Sequence, residues 1–191
     1  MIAPDKTALI LLAAGRSKRF GDADKLEQLF LRKPLAFHVV TALEEVPFQT
    51  RFVVKSGTSL DFESRGYRVL QNDQPEMGMS QSVKLGVAAA RDEGAEAVLI
   101  ALADMPRVTA NHIYHLLDAA DNHDAVVASS DGVNPRPPAL FGAGQFQALL
   151  TLEGDAGARA MVRSGRHVIA PEGELLDIDT PEDLERLRAL R

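Results

Sequence analysis

The 191-residue chain contains no cysteine. Disulfides, thiolate zinc sites and a cysteine nucleophile are therefore excluded. It has no surplus of basic residues: 21 Lys and Arg stand against 27 Asp and Glu, a formal charge of −6. A general nucleic-acid binder carries a basic face, so no nucleic-acid partner is expected, although a local cationic pocket is compatible with this balance. No apolar run reaches membrane-spanning length, so no membrane partner is expected. The opening Met1-Ile2-Ala3-Pro4-Asp5-Lys6 lacks the layout of a secretory signal, and the expectation is a cytoplasmic protein. There is no internal repeat, low-complexity tract or linker. The remaining composition, 46% hydrophobic and 25% charged, is that of an ordinary globular protein. Residues 1–191 read most simply as one domain.

Two common phosphate-binding loops are also missing. A P-loop needs G-x-x-x-x-G-K-[ST], but here Gly15 and Gly21 are followed by Asp22. The G-x-G-x-x-G dinucleotide fingerprint does not fit Ala14-Gly15-Arg16-Ser17. A kinase-type or NAD-type site, and a dehydrogenase subunit with it, is disfavoured. In their place an apolar run, Leu9–Ala14, ends in Gly15 and gives way to Arg16, Lys18, Arg19 and, shortly after, Lys25. The run reads as a buried strand whose C-terminal end opens into a cationic loop. In an open parallel sheet ligands bind at that end, and small residues let the backbone come close to them. Polyphosphate handling is the first hypothesis. Taken alone, the loop also has the composition of a solvated turn.

Strand and helix patterns alternate along the rest. Strands are expected at Thr7–Ala13, Arg51–Lys55, Tyr67–Leu70, Ala97–Leu102, Ala125–Ser129, Ala139–Phe141, His167–Ala170 and Leu175–Ile178. Helical spacing recurs at Leu35, His38, Val39, Ala42 and Leu43, with Pro34 suited to the first helical position. Further helices are expected over Ser80–Arg91, after a Thr109 cap, over Gln145–Leu150, and from an Asp155 cap to Arg163. The polar stretch from Asp131 to Pro138 reads as a loop. The last helix is marked by Thr180 as N-cap, Pro181 at N1 and Asp183 at N3, close to a capping box. This βα alternation implies an α/β fold with a mainly parallel sheet covered by helices.

Two acidic sites accompany the cationic loop. Asp104 stands just past the central strand Ala97–Leu102. A carboxylate there can hold Mg²⁺, a hard cation that often takes one or two carboxylates plus substrate phosphates; it can equally cap the turn before Pro106. Asp177 and Asp179 flank Ile178, so alternation points both to one side. One of them could complete a metal site, or both could merely favour the positive end of the last helix. His38 lies on an apolar helix face and reads as packed. His112, His115, His123 and His167 form no metal-ligand pattern.

Five segments in order resemble the MobA-like nucleotidyltransferases, within them the molybdenum cofactor cytidylyltransferase group. They are Leu12-Ala13-Ala14-Gly15-Arg16-Ser17-Lys18-Arg19-Phe20-Gly21 with Lys25, Gly78-Met79-Ser80-Gln81-Ser82-Val83 with Gly86, Leu102-Ala103-Asp104-Met105-Pro106, Gly154-Asp155-Ala156-Gly157-Ala158-Arg159, and Asp177-Ile178-Asp179-Thr180-Pro181-Glu182-Asp183-Leu184. The resemblance covers nearly the whole chain. It implies a Rossmann-like three-layer fold and transfer of a nucleoside monophosphate from a triphosphate, CTP in that group, to the phosphate of molybdopterin, with release of pyrophosphate. A molybdoenzyme receiving the product is an implied partner.

The resemblance also distributes roles. It puts the triphosphate on Leu12, Ala13, Ala14, Gly15, Arg16 and Lys25, and the base near Ala13, Gly78 and Ser82. Mg²⁺ falls to Asp104 with Asp179. Pro138, Asp155 and Arg159 fall to the acceptor, which lies over Asn134–Pro138 and Gly154–Arg159. Arg19, Lys25 and Asp104 are the implied catalytic residues. Two positions depart from the family pattern. Arg32 stands where glycine usually precedes Lys-Pro-Leu, and Pro135-Arg136-Pro137-Pro138 lacks the usual histidine. A guanylyltransferase, a transferase for another small phosphate, and a non-catalytic cofactor carrier remain as alternatives.

Overall fold

The computed structural model describes residues 1–15, 18–21, 23–154 and 156–189. Along the chain the strands are β1 (Thr7–Ala13), β2 (Leu29–Phe30), β3 (Lys33–Pro34), β4 (Thr50–Lys55), β5 (Arg68–Gln71), β6 (Ala97–Leu102), β7 (Val126–Ser130), β8 (Pro135–Gly142) and β9 (Arg166–Ile169). The α-helices are α1 (Ala36–Ala42), α2 (Met79–Asp92), α3 (Ala110–Ala119), α4 (Phe146–Leu150), α5 (Ala156–Ser164) and α6 (Pro181–Ala189). Seven strands form one sheet in the order β5-β4-β1-β6-β8-β7-β9. Its pairs are parallel except where β8 runs antiparallel to β6 and β7.

Every residue of β1 is buried, because both faces of the sheet are covered. Side chains alternate along a strand. Leu9, Leu11 and Ala13 meet Val39 and Val40 of α1 and Ile113 and Leu116 of α3. Ala8, Ile10 and Leu12 meet Val83 and Val87 of α2, Phe146 and Leu149 of α4 and Val162 of α5. A third, smaller cluster joins Leu184 and Leu187 of α6 to Ile178, Phe30 and Leu35. Among the described residues no helix is long and apolar enough to cross a membrane.

The strand order places the ligand-binding edge. From β1 the chain builds outward through β4 to β5, then returns to add β6 on the other side of β1. The order reverses between β1 and β6, and a crevice opens beyond the carboxyl ends of strands at such a reversal.

Three expected elements differ. Pro34 does not begin a helix; it pairs with Leu29 in a hairpin turned by Leu31 (φ 48°) and Arg32 (φ 63°), and α1 starts at Ala36. Two consecutive left-handed residues make the hairpin turn, which explains why glycine suits position 32. The segment from Asp131 to Pro138 is only partly a loop, since β8 begins at Pro135. Its prolines lie beyond the end of β6, which pairs only with Ala139–Gly142, so their missing N–H groups break no β6 ladder. Leu175–Ile178 forms no strand. The Asp155 cap falls outside the described residues.

The caps that can be checked hold. Thr109 Oγ1 accepts from His112 N at 3.2 Å. The Thr180–Asp183 capping box closes in both directions: Thr180 N donates to Asp183 Oδ2 at 2.9 Å, and Asp183 N donates to Thr180 Oγ1 at 3.2 Å. His38 is packed as expected, its ring 4.9 Å from that of Phe30 and its Nε2 at 2.8 Å from the Phe30 carbonyl.

Candidate active site

A cleft of about 390 Å³ lies at the β1–β6 reversal. One wall is the end of β1 and its continuation: Leu12, Ala13, Ala14 and Gly15. Ser56, just past β4, donates to the Ala14 carbonyl at 3.2 Å and steadies this exit. The opposite wall is the start of α2, with Gly78, Met79 and Ser82. Gly78 has φ 83°, a left-handed conformation that favours glycine. Buried Ser82 Oγ accepts from Asn72 Nδ2 at 2.9 Å, while Asn72 Oδ1 accepts from Gln74 N at 2.9 Å. Asn72 thus braces the rim of the cleft, and the sequence reading missed it. Single polar residues after a strand, such as Asn72 and Ser56, look like ordinary turn formers.

The floor carries the charges. Lys25 opens the short 3₁₀ turn Lys25–Glu27, whose N-cap Asp24 accepts from Leu26 N at 2.9 Å. Glu27 accepts from Ser59 N at 2.7 Å and ties that turn to the segment after β4. Asp104 follows β6 by two residues. Its carbonyl accepts from Ile178 N at 3.0 Å, which draws the approach to α6 alongside. The result brings together residues far apart in sequence. Lys25 Nζ donates to Asp104 Oδ2 at 2.6 Å and to Asp179 Oδ1 at 3.1 Å. Arg19 Nη1 donates to the other oxygen of Asp179 at 3.1 Å.

These groups are electrostatically unusual. Lys25 is 8% exposed. Burial alone would draw its ammonium down, but Asp104 and Asp179 outweigh burial and hold it above the ordinary lysine value. Burial pushes the Asp104 carboxyl above the ordinary aspartate value; Lys25 pulls it back only in part, and Asp177 and Asp179 add to the push. Asp104 Oδ1 is buried without a hydrogen-bond partner among the described residues.

Of the expected site residues, Arg19, Lys25, Asp104 and Asp179 converge. Leu12, Ala13, Ala14, Gly15, Gly78 and Ser82 share the cleft with Lys25 and Asp104. Arg159 also lines this cleft. Asp177 diverges from Asp179 and lies 3.6 Å from Arg136 Nη1. Pro138 is buried inside β8, where its carbonyl accepts from Ser129 Oγ at 2.7 Å, and it lines no described cleft. Its neighbours do: Asn134, Pro135, Arg136 and Pro137 border a smaller groove of about 250 Å³ that shares Leu102 with the main cleft. Arg16 and Asp155 lie outside the described residues.

No group of three or more His, Cys, Asp or Glu among the described residues could hold a metal alone. Two carboxylates with one oxygen unpartnered still fit a hard cation that completes its shell with substrate phosphates and water.

Comparison with known proteins agrees with this architecture. The model of the MobA-like NTP transferase domain matches residues 9–169. The chain is 29% identical over 196 residues to the purine catabolism protein PucB of Bacillus subtilis, spanning 94% of each. It is 30% identical over 162 residues to a phosphoenolpyruvate guanylyltransferase of Rubrobacter xylanophilus, covering 79% of this chain and 76% of the relative. It is 24% identical over 204 residues to a probable molybdenum cofactor guanylyltransferase of Natronomonas pharaonis, covering 94% and 95%. In fold it resembles a nucleotidyl transferase from Methanothermobacter thermautotroptrophicus, with a TM-score of 0.81, 22% identity and 96% of each chain covered. A glycine-ended strand at the topological switch point, with cations and carboxylates gathered beyond it, is what a nucleotide-transferring site requires, and the chain belongs to the family of MobA-like NTP transferase domains.

Proposed function

We propose that this nucleotidyltransferase uses the β1–β6 cleft to transfer a nucleoside monophosphate to the phosphate of molybdopterin. The observation that carries the reading is Lys25 held between Asp104 and Asp179 on the floor of the cleft, at 2.6 and 3.1 Å. An attacking phosphate oxygen forms a bond to the α-phosphorus, the bond from that phosphorus to the bridging β-oxygen breaks, and pyrophosphate leaves. A phosphate monoester is already ionised at neutral pH, so no strong general base is needed. The work is alignment and charge neutralisation.

The backbone of Leu12–Gly15 lies against the triphosphate, and Lys25 and Arg19 take up the charge of the leaving pyrophosphate. Asp104 and Asp179 would hold Mg²⁺, which supplies charge neutralisation on the phosphates. The acceptor occupies the adjoining groove over Asn134–Pro137, whose shared Leu102 wall leads to Asp104. A molybdoenzyme taking the product is the corresponding partner, and a cytoplasmic location suits that chemistry.

The motif pattern favours CTP. A second reading, with GTP, is favoured by two relatives that are named guanylyltransferases. Pyrophosphate release with Mg²⁺, comparing CTP, GTP, ATP and UTP against molybdopterin and phosphoenolpyruvate, tests both. Release with CTP and molybdopterin is expected, together with loss of most turnover in folded Asp104→Ala. Release with GTP alone corrects the base and keeps the site. No release with any pair favours a carrier, and wild-type turnover in Asp104→Ala removes Asp104 from the site.

A further inference from the structure

We infer that Lys25 has two stations, one between Asp104 and Asp179, where it holds the seat of the divalent cation, and one on the triphosphate, so that the cation enters only with the nucleotide. This rests on the proposal that those two carboxylates bind the cation.

The first station is the observed one. The ammonium lies 2.6 Å from an oxygen of Asp104 and 3.1 Å from one of Asp179. A hard divalent cation draws carboxylate oxygens to about 2.0–2.1 Å, and two positive centres sharing the same oxygens would repel strongly at that range. One of them must leave. Lys25 stands on a flexible four-carbon stem and lines the same cleft as Leu12 and Gly15, so it can turn from the carboxylates toward a bound phosphate.

The exchange is coupled in both directions. If Lys25 left without a replacement, Asp104, a half-buried carboxylate whose Oδ1 already lacks a partner among the described residues, would be stripped of its ammonium, an expensive arrangement. A cation arriving alone must displace that ammonium from both carboxylates, whereas a bound triphosphate offers it new oxygens. Cation and triphosphate together satisfy both requirements. Arg19 grips the second oxygen of Asp179 at 3.1 Å, so that carboxylate stays aimed while Lys25 moves. Cation and nucleotide affinities are then linked, each raising the other by the same factor.

The test is Mn²⁺ titration without nucleotide, with free Mn²⁺ read by electron paramagnetic resonance. Wild type, Lys25→Met and Lys25→Gln are compared, with folding checked by circular dichroism. Both variants should bind one Mn²⁺ about tenfold or more tightly than wild type, the change expected when a neighbouring like charge is removed. Adding Asp104→Asn should abolish that site. Equal affinity in wild type and variants overturns the inference. Should neither Lys25 variant fold, wild type alone decides: tight one-to-one Mn²⁺ binding that Asp104→Asn removes would overturn it. Variants that bind no Mn²⁺, beside a wild type with cation-dependent pyrophosphate release, overturn the inference and leave the proposed reaction standing. Absence of both Mn²⁺ binding and cation-dependent release takes down the proposed metal site itself.

Discussion

His112 shows how a single buried residue can set a pH dependence. It is 1% exposed, with Nε2 at 2.8 Å from Ser129 Oγ. The Ser129 hydroxyl proton is already given to the Pro138 carbonyl at 2.7 Å, so Nε2 is the donor of that pair and Nδ1 is the unprotonated nitrogen. Nδ1 is buried with no partner among the described residues. Burial lowers the pKa below the ordinary histidine value, His115 adds to the lowering, and Glu174 opposes it. The unfolded chain therefore binds more protons than the folded one as pH falls through about 6.5. Stability from this group is complete above that pH and is lost below it, toward the depressed folded value. Urea unfolding of wild type should weaken between about pH 7 and pH 5 with a slope of up to about 1.4 kcal/mol per unit, and His112→Gln should flatten that slope. Parallel profiles for the two proteins would refute it. At this scale the site was legible where charge stands out against apolar strands, as at Lys25, Asp104 and Asp179. Asn72 and Ser56 were not, because they act through neighbours that only the fold supplies.

At the scale of elements, Gly86 decides how closely α2 lies on β1. A Cβ at this position would stand 2.5 Å from Ile10 Cγ2 and 3.0 Å from Ile10 Cδ1. The branch at Cγ2 cannot swing aside cheaply, since Ile10 is wholly buried. Alanine would gain about 0.8–1.0 kcal/mol in helix propensity, while overpacking costs about 1–3 kcal/mol. Gly86→Ala should therefore be destabilised, by up to about 2 kcal/mol net, read as a lower denaturant midpoint at unchanged slope. A raised midpoint would show that α2 can lift off the sheet freely. Elements were legible where local chemistry and tertiary role agree, as in the apolar β1 and β6 and the Thr180–Asp183 box. They were misread where pattern and partner disagree. Leu175–Ile178 is apolar enough to read as a strand, yet Ile178 N donates to the Asp104 carbonyl and no ladder forms. Pro135–Pro138 reads as a loop, yet Pro135 and Arg136 pair with Ser130 and Ser129, beyond a bulge in β8 at Pro137 and Pro138.

For the whole molecule, the question is whether the site and the core can come apart. The two large clusters are opposite faces of the same strands, so neither can melt without exposing the other. The third cluster is smaller, but it carries the segment that delivers Asp179, and it is stitched back to the body by Ile178 N to Asp104 O at 3.0 Å and by Arg188 Nη2 to Leu29 O at 2.9 Å. Leu35 belongs to that cluster and leads directly into α1, whose Val39 and Val40 are in the main core. Continuity of this kind favours one cooperative unit. Calorimetry should show a single transition whose calorimetric and van't Hoff enthalpies agree. Leu187→Ala, which opens the third cluster and should cost about 2–5 kcal/mol, should lower that transition as a whole. A transition that splits, with a weak early component in Leu187→Ala, would instead identify α6 and its approach as a separately opening unit. Asp179 would then be withdrawn from Lys25 before the sheet unfolds, and nucleotide transfer would fail at temperatures where the core is still intact.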